Sequence, residues 1–371
     1  QGHNVLVFDN LSRINIFGHY LKNSKYNWDY LKNYDNITLM NIDITNSSLL
    51  TKNLMQDIDI ILHTAGQTAV TTSVTNPKND FMINTVGTFN ILEASRQYCK
   101  NPKIMFCSTN KVYGDNVNQV KVIEKEKTYV FEKQYENGIP EDMSIDNCGH
   151  TPYGCSKTSA DIYVQDYAKT YGMNTAIFRM SCIYGERQFG VEDQGWIAWF
   201  TIATLLNKPI TIYGNGKQVR DTLNVQDFVY AVDAFINTNK KIAGDVFNIG
   251  GGKNNTLSLL ELLDLLKKFT KDFRNKKVIV FCAGSYARLA INLIKKMKIN
   301  IFFIIDNNKN FLNKKLDGIN IKNSSYFKEN IKKFKSKNIL ICNQNYNEFN
   351  KIKFNLISLG IKRDSIYYVN I

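Results

Sequence analysis

Tyr153 and Lys157 stand four residues apart just after Pro152, a spacing that puts a phenol and an ammonium on one face of a helix opened by proline. A free tyrosine titrates near about 10 and a neighbouring ammonium favours phenolate, so the pair suits a general base and its activator close to neutrality. Thr109, in Cys107-Ser-Thr-Asn-Lys-Val-Tyr-Gly114, offers a hydroxyl that can bond the same substrate oxygen. The Tyr-x-x-x-Lys spacing recurs at Tyr129/Lys133 and Tyr213/Lys217. Tyr129 lies in a long charged connection and Tyr213 precedes a Gly214/Gly216 turn, whereas Tyr153 opens a clean amphipathic stretch.

Elements must hold these groups in place, and the pattern is of apolar strands alternating with longer amphipathic segments. Strands are predicted at Val5 to Phe8, Ile58 to His63, Ile104 to Cys107, Thr175 to Arg179 and Val246 to Ile249, and helices at Asn84 to Tyr98, Tyr153 to Thr170 and Leu257 to Phe269. That order makes an α/β fold, a Rossmann-type doubly wound parallel sheet. Ligands of such sheets sit beyond the carboxyl ends of the strands. There, Asp9 can accept both hydroxyls of an adenosine ribose, which favours a non-phosphorylated cofactor; the bland alternative for Asp9-Asn10 is a turn. The Gly-rich turn that normally precedes such an acid by about 20 residues does not occur ahead of Asp9. His63-Thr-Ala-Gly-Gln67 puts small residues where backbone can approach a ligand. The sequence begins at Gln1, with no basic-then-apolar segment behind it, and is expected to be an interior fragment or a processed product.

Charge divides the 371 residues. Lys276 to Ile371 carries 19 Lys and Arg against five Asp and Glu, which accounts for the whole net charge of +14. A boundary near Asp272 is expected, giving domains at 1–271 and 276–371. The basic part holds only Arg288 and Arg363 among its lysines and no nucleic-acid motif, so a solvated surface is expected and a nucleic-acid partner is not. Seven scattered cysteines without a CxxC pair argue against a disulfide framework or a metal site and fit a reducing cytoplasm. No apolar run approaches the roughly 18 residues of a membrane span.

Taken together and in order, FDNLSR, Asp43-Ile44, HTAGQ, NTVGT, STNKVYG, PYGCSK, RMSCIYGERQF and GNGKQVRDTLNVQD resemble the extended short-chain dehydrogenases, the NAD-dependent epimerase/dehydratase family, over roughly Gly2 to Leu266. Within it the segments are most similar to nucleotide-sugar 2-epimerases. The resemblance implies a catalytic set of Thr109, Tyr153 and Lys157, and NAD contacts from Asp9 and Asn10 (adenosine ribose), Asp43 and Ile44 (adenine), Ala65, Gly66 and Gln67 (cofactor middle), Asn84 and Met180. It further implies that Ser181 and Gln188 line a sugar pocket and that Arg220 pairs with a nucleotide diphosphate; the alternative for Arg220 is an ion pair with Asp221 or Asp227. The implied reaction inverts one sugar carbon by transient oxidation and reduction, in polysaccharide synthesis, and the implied assembly is a homo-oligomer. Dehydratase relatives carry an Asp-Glu pair where this chain has Asn110 and Lys111, neither of which supplies the acid and base that water loss requires. Two departures stand out. The family's first strand, Gly-rich turn and helix are missing, so the sheet should lack a central strand and NAD its pyrophosphate cradle; and after Phe269 the substrate domain gives way to something else.

That something is expected to be a second small Rossmann-like domain: a strand Lys277 to Ala283, a helix Arg288 to Lys298 and a strand Ile301 to Ile305 ending at Asp306. It resembles nucleotide-binding-like domains of sugar-modifying enzymes, with one glycine of the fingerprint left. Besides an epimerase, the residues admit a non-catalytic nucleotide-sugar-binding fusion and an NAD-dependent dehydrogenase or reductase with net redox chemistry.

Overall fold

A computed structural model describes residues 2–13, 25–274, 277–281, 291, 294, 299–308, 314–342 and 346–369. The chain forms two compact units, Gln1–Trp199 with Ile212–Glu261, and Phe200–Thr211 with Leu262–Ile371.

The first unit is built on β1 (Val5–Asp9), β2 (Ile37–Asn41), β3 (Ile60–His63), β4 (Lys103–Thr109), a surface hairpin of β5 (Val122–Glu124) and β6 (Tyr129–Phe131), β7 (Asn174–Met180), β8 (Cys182–Tyr184), β9 (Val219–Asn224), β10 (Ala243–Ile249) and β11 (Thr256–Ser258). Its main sheet is parallel in the order β10-β7-β4-β3. Strands covered on both faces read as continuous apolar runs, and β4 and β7 do. Successive side chains of β4 go to opposite faces. Ile104 and Phe106 pack with Leu92, Ala160, Val164 and Ile177 under the helices Gly87–Tyr98 and Thr151–Tyr171, while Met105 and Cys107 pack with Ala176, Phe178, Val232 and Phe235 under the helix Val225–Asn237. Helices on both faces make the sheet doubly wound.

β1 pairs only with β2, a strand missed in the sequence, and the two form a separate parallel pair. Among the described residues no strand joins the free edge of β1 or that of β3, and beside those edges Val5 and Leu62 stay 41% and 43% exposed.

Three element boundaries differ from the sequence reading for local reasons. The helix expected from Asn84 begins as a π-helical turn, Met82–Val86, before Gly87–Tyr98; such turns often re-aim a functional side chain. The Tyr153 helix starts at Thr151, with Pro152 in its first turn, and stops at Gly172, whose φ of 69° is the left-handed conformation glycine adopts freely. The segment expected to be helical from Leu257 starts as β11, and the helix runs Leu259–Arg274. Ser258 and Glu261 form a capping box there: the Glu261 N–H donates to Ser258 Oγ at 3.1 Å and the Ser258 N–H to Glu261 Oε2 at 2.8 Å.

The second unit holds a six-stranded sheet in the order β14-β15-β13-β12-β16-β17, made of β12 (Val278–Phe281), β13 (Ile301–Ile305), β14 (Lys315–Leu316), β15 (Ile319–Lys322), β16 (Ile339–Cys342) and β17 (Ile366–Val369). All pairs are parallel except β14 with β15. Val278 and Val280 face one apolar cluster, Ile279 and Phe281 the other, so this sheet too is covered on both sides. The predicted strand Lys277 to Ala283 is observed as β12, with Cys282 and Ala283 outside the described residues; of the predicted helix Arg288 to Lys298 only the buried Ile291 and Ile294 are described. Cys99, Cys107, Cys148, Cys155, Cys182 and Cys342 form no disulfide with one another among the described residues. No helix among those residues is long and apolar enough to cross a membrane.

Candidate active site

Parallel pairing of β4 with β7 sets Thr109 beside Met180, and pairing of β7 with β10 sets Met180 beside Ile249, so the three strand ends open at one level. The Tyr153 helix packs along the sheet face, and its first turns lie beside the end of β4. Its first turn is fastened by the Tyr153 N–H donating to Ser73 Oγ at 3.1 Å. Thr109 lies near the Tyr153 hydroxyl and acts to lower its pKa, and Thr109 Oγ1 accepts the Lys111 N–H at 3.3 Å. Lys157, one turn on and fully buried, donates from Nζ to the Cys107 carbonyl at 2.6 Å, with Nζ 4.4 Å from the Phe106 ring centroid. Thr109, Tyr153 and Lys157 are thus gathered at the end of β4.

Their electrostatics correct one expectation. The Lys157 ammonium does not draw the phenol down: burial pushes Tyr153 up to about 12, further than the neighbouring Thr109 lowers it. Lys157 has turned to Cys107, and its own desolvation pulls it down to about 8, against the upward pull of Cys107, Asp161 and Asp80. Burial, helped by the Lys157 charge, holds His63 at about 3, a neutral ring bonded to Thr88 at 2.9 Å.

Under the helix lies a buried polar network that sequence reasoning missed. Asn84 Oδ1 accepts the Gln67 N–H at 2.9 Å, while its Nδ2 donates to the Gln67 carbonyl at 3.1 Å and to Ser156 Oγ at 3.0 Å. Ser156 donates to Asp80 Oδ2, and Gln67 Nε2 reaches Asp80 Oδ1 at 2.9 Å. Burial raises the Asp80 carboxyl despite these donors. A second missed group is Asp161, which takes a forked bond from Arg179 at 3.0 and 3.1 Å and the Ser108 hydroxyl at 2.6 Å. Arg179 also donates to Tyr113 Oη at 3.1 Å. Asp161 could have been found, since it lies four residues beyond Lys157 on the same helical stripe. Asp80 gives no comparable local signal.

The remaining sequence-predicted residues fall in three places. At the end of β1, Asp9 accepts the Leu11 N–H at 2.7 Å, and Asn10 Nδ2 donates to Asp43 Oδ2 at 3.0 Å. Burial raises the Asp43 carboxyl, but the donors Asn10 and Thr45 together hold it below its usual range. The Ile44 side chain is buried with Ile42, Leu50 and Ile91, and its carbonyl accepts a bond from Asn90 Nδ2 at 2.9 Å. Ala65, Gly66 and Gln67 follow β3. On the far side, the Ser181 N–H donates to the Ile249 carbonyl at 3.0 Å and Gln188 Nε2 to the Ile183 carbonyl at 3.0 Å. Ser181 Oγ and Gln188 Oε1 are buried without partners. Arg220 is exposed on β9 and makes no ion pair with Asp221, whose carboxylate accepts the Gly251 N–H at 2.8 Å.

A dinucleotide cofactor can be tested against this geometry. A Cβ on Gly66 would lie 3.0 Å from Asn84 Oδ1 and 3.7 Å from Lys157 Nζ, so only glycine leaves backbone open between β3 and Lys157. With the exposed Asp9 carboxylate at the end of β1, the residues fit the ribose and the reactive end of such a cofactor. No cluster of His, Cys, Asp and Glu suited to a metal occurs among the described residues.

Comparison with known proteins agrees. CDP-paratose 2-epimerase of Salmonella typhi is 45% identical over 275 residues, covering 72% of this chain and 78% of that protein. A putative UDP-glucose 4-epimerase of Methanocaldococcus jannaschii is 33% identical, covering 62% of this chain and 66% of its own length. The structure of UDP-glucuronic acid 4-epimerase from Bacillus cereus in complex with UDP-glucuronic acid and NAD superimposes with a TM-score of 0.56 at 26% identity, over 72% of this chain and 83% of that one. Residues 274–367 match the family described as C2185-like, N-terminal. With residues 1–250 matching its model and the Thr109, Tyr153 and Lys157 set assembled at the strand ends, the chain belongs to the NAD dependent epimerase/dehydratase family.

Proposed function

We propose that this chain is an NAD-dependent nucleotide-sugar epimerase, most like CDP-paratose 2-epimerase, that inverts one sugar carbon by transient oxidation and reduction. The observation that carries the reading is the gathering of Tyr153 and the buried Lys157 beside Thr109 at the end of β4, in a chain 45% identical to a protein of that activity. When bound, NAD supplies reversible storage of a hydride, so none is consumed. Asp9, Asn10 and Asp43 would hold its adenosine end, with the Ile44 backbone beside the adenine; Ala65, Gly66 and Gln67 its middle; Asn84, Met180 and Lys157 its reactive end. Tyr153 takes the proton of a sugar hydroxyl and gives it back, Thr109 keeps that oxygen in line, and Ser181 and Gln188 bind the ring. Arg220 faces the nucleotide diphosphate. Asn110 and Lys111 offer no carboxyl pair for water loss.

The epimerase domain is taken as residues 1–271 and the basic domain as residues 276–371. The scattered cysteines without a CxxC pair support a reducing cytoplasm. Phe89, Ile162, Tyr163 and Tyr171 stay 38–51% exposed on the helices Gly87–Tyr98 and Thr151–Tyr171, and they support a homo-oligomer formed through that face. Sedimentation of the full chain checks this: a monomer at micromolar concentration would overturn it.

The test of function is to release small molecules from the purified chain for NAD detection, then to follow CDP-paratose by proton NMR. Inversion at sugar carbon 2 without net reduced-nicotinamide absorbance is expected, and it falls by about 10²- to 10⁴-fold in Tyr153→Phe. Accumulating reduced nicotinamide would instead identify a dehydrogenase, and absent turnover with binding retained a non-catalytic binder.

A further inference from the structure

The chain from Arg187 to Gln194 follows β8 and is fastened at both ends to other parts of the first unit. At one end, Arg13 Nη2 donates to the Phe189 carbonyl at 2.7 Å and Asn27 Nδ2 to the Arg187 carbonyl at 3.3 Å. The Tyr26 and Phe189 rings meet edge to face, their centroids 5.6 Å apart. The Arg187 guanidinium stands over the Tyr30 ring, 3.9 Å from its centroid, in a cation–π contact. At the other end, Gln194 Nε2 donates to the Thr68 hydroxyl. Between the two, Val191 and Gln194 exchange backbone bonds at 2.8 and 3.0 Å, which closes a tight turn. Gly190 is pressed so close that a Cβ there would stand 2.6 Å from the Trp199 nitrogen and 2.7 Å from the Gly195 carbonyl oxygen.

Local preference does not hold this segment in place. Arg187 has a φ of 58°, in the left-handed region that side chains disfavour, and its Nε is buried without a hydrogen-bond partner. A residue with both costs persists only where its surroundings over-determine it. The anchors also lie at telling places. Arg13 comes four residues after Asp9 at the end of β1, and Thr68 follows Gln67 in the chain leaving β3. β1 and β3 belong to separate sheets, so this one segment joins two strand ends that no strand pairing joins. Those ends carry the residues given above to the adenosine end and the middle of a dinucleotide. We propose that Arg187 to Gln194 is a strap across the dinucleotide groove, fastened by Arg187 on Tyr30, and that it must lift before NAD can leave. The inference rests on the NAD-dependent reading above. Arg187 is here a positioning residue, acting through the strap rather than on the cofactor. Such a strap suits a reaction that takes a hydride and returns it, because a cofactor lost between the two steps would leave an oxidised sugar behind.

The experiment loads the full chain with NAD and follows its release by exchange against fluorescent etheno-NAD. In Arg187→Ala and in Tyr30→Leu, which remove the same contact from its two sides, release should quicken about tenfold. Arg187→Lys, which keeps a cation over the ring, should restore part of the retention. With NAD in excess, turnover of CDP-paratose at saturation should match the parent in all three. Should Arg187→Ala fail to fold, Tyr30→Leu decides alone, since it leaves the arginine and its backbone in place. Release as slow as in the parent would overturn the strap and leave the NAD-dependent reading standing. A lowered urea midpoint with unchanged release would show that Arg187 serves the fold only, and the strap is again wrong. A fall in turnover at saturating NAD would place Arg187 in the chemistry instead and overturn the strap. If the parent neither holds NAD nor takes up the fluorescent analogue, the strap and the NAD-dependent reading fail together.

Discussion

Replacing Lys157 by methionine should make the protein more stable at neutral pH while removing its activity. The fully buried ammonium titrates at about 8 against 10.5 for an ordinary lysine, chiefly because burial disfavours its charge. At 1.36 kcal/mol per unit, carrying that charge in the folded state costs about 3 kcal/mol. The sign follows from proton counting: below pH 8 both folded and unfolded chains are protonated and the full penalty applies, whereas above 10.5 both are neutral and it vanishes. Lys157→Met also forfeits the 2.6 Å bond to the Cys107 carbonyl, a loss of about 1 to 2 kcal/mol. The variant should therefore gain about 1 to 2 kcal/mol at pH 7 and lose about as much at pH 10.5. Urea unfolding followed by tryptophan fluorescence reads this in the first unit, because Trp28, Trp196 and Trp199 all lie there. A stability difference that stays constant from pH 7 to 10.5 would show that Lys157 is not buried as a reluctant cation, and the argument would fail.

Arg179→Ala should destabilise the first unit by about 3 to 5 kcal/mol, because it strands the Asp161 carboxylate in the core with only Ser108 and Gln165 as donors; urea midpoints of the variant and of Arg179→Ala/Asp161→Ala, which should be the milder, check it. Gly66→Ala should leave the fold intact and reduce co-purified NAD, since its methyl would stand 3.0 Å from Asn84 Oδ1 and 3.7 Å from Lys157 Nζ; unchanged NAD content would show that backbone approach at Gly66 is not used. Asn84→Ala should destabilise by about 2 to 3 kcal/mol through the unpaired Gln67 amide and carbonyl, read by thermal unfolding at pH 7.

The parts of the site that repeat locally were legible in the sequence. Tyr153 and Lys157 share a helix, and a spacing of four fixes their common face whatever the tertiary structure. β4 and β7 were visible because strands covered on both sides are written in apolar residues, and their pairing then places Thr109 beside Met180 without further information. β2 escaped because Ile-Thr-Leu-Met-Asn is short and sits at a sheet edge, and β11 because three residues before a strong helical pattern look like its first turn. The direction of the Tyr153 shift was misread for another reason: spacing says that two groups share a face, not where a flexible lysine ends, and Nζ ends on Cys107.

Asp80 shows why the supporting groups resist such reading. Its partners Gln67, Asn84 and Ser156 come from three segments, and none of the contacts to Gln67 or Ser156 has a helical or strand period. Yet these contacts decide what the site can do. Asn84 clasps both polar groups of the Gln67 backbone, which fixes the chain after β3, and Ser156 joins that clasp to the helix that carries Tyr153 and Lys157. The Thr85 hydroxyl adds a bond to the Ser156 carbonyl at 3.0 Å. A shift of the helix would therefore have to break a fully satisfied buried network, which costs far more than any single surface contact. The π-helical turn at Met82–Val86 is what turns Asn84 inward to reach both segments. The segment after β3 and the helix that carries Tyr153 and Lys157 are thus joined through one asparagine.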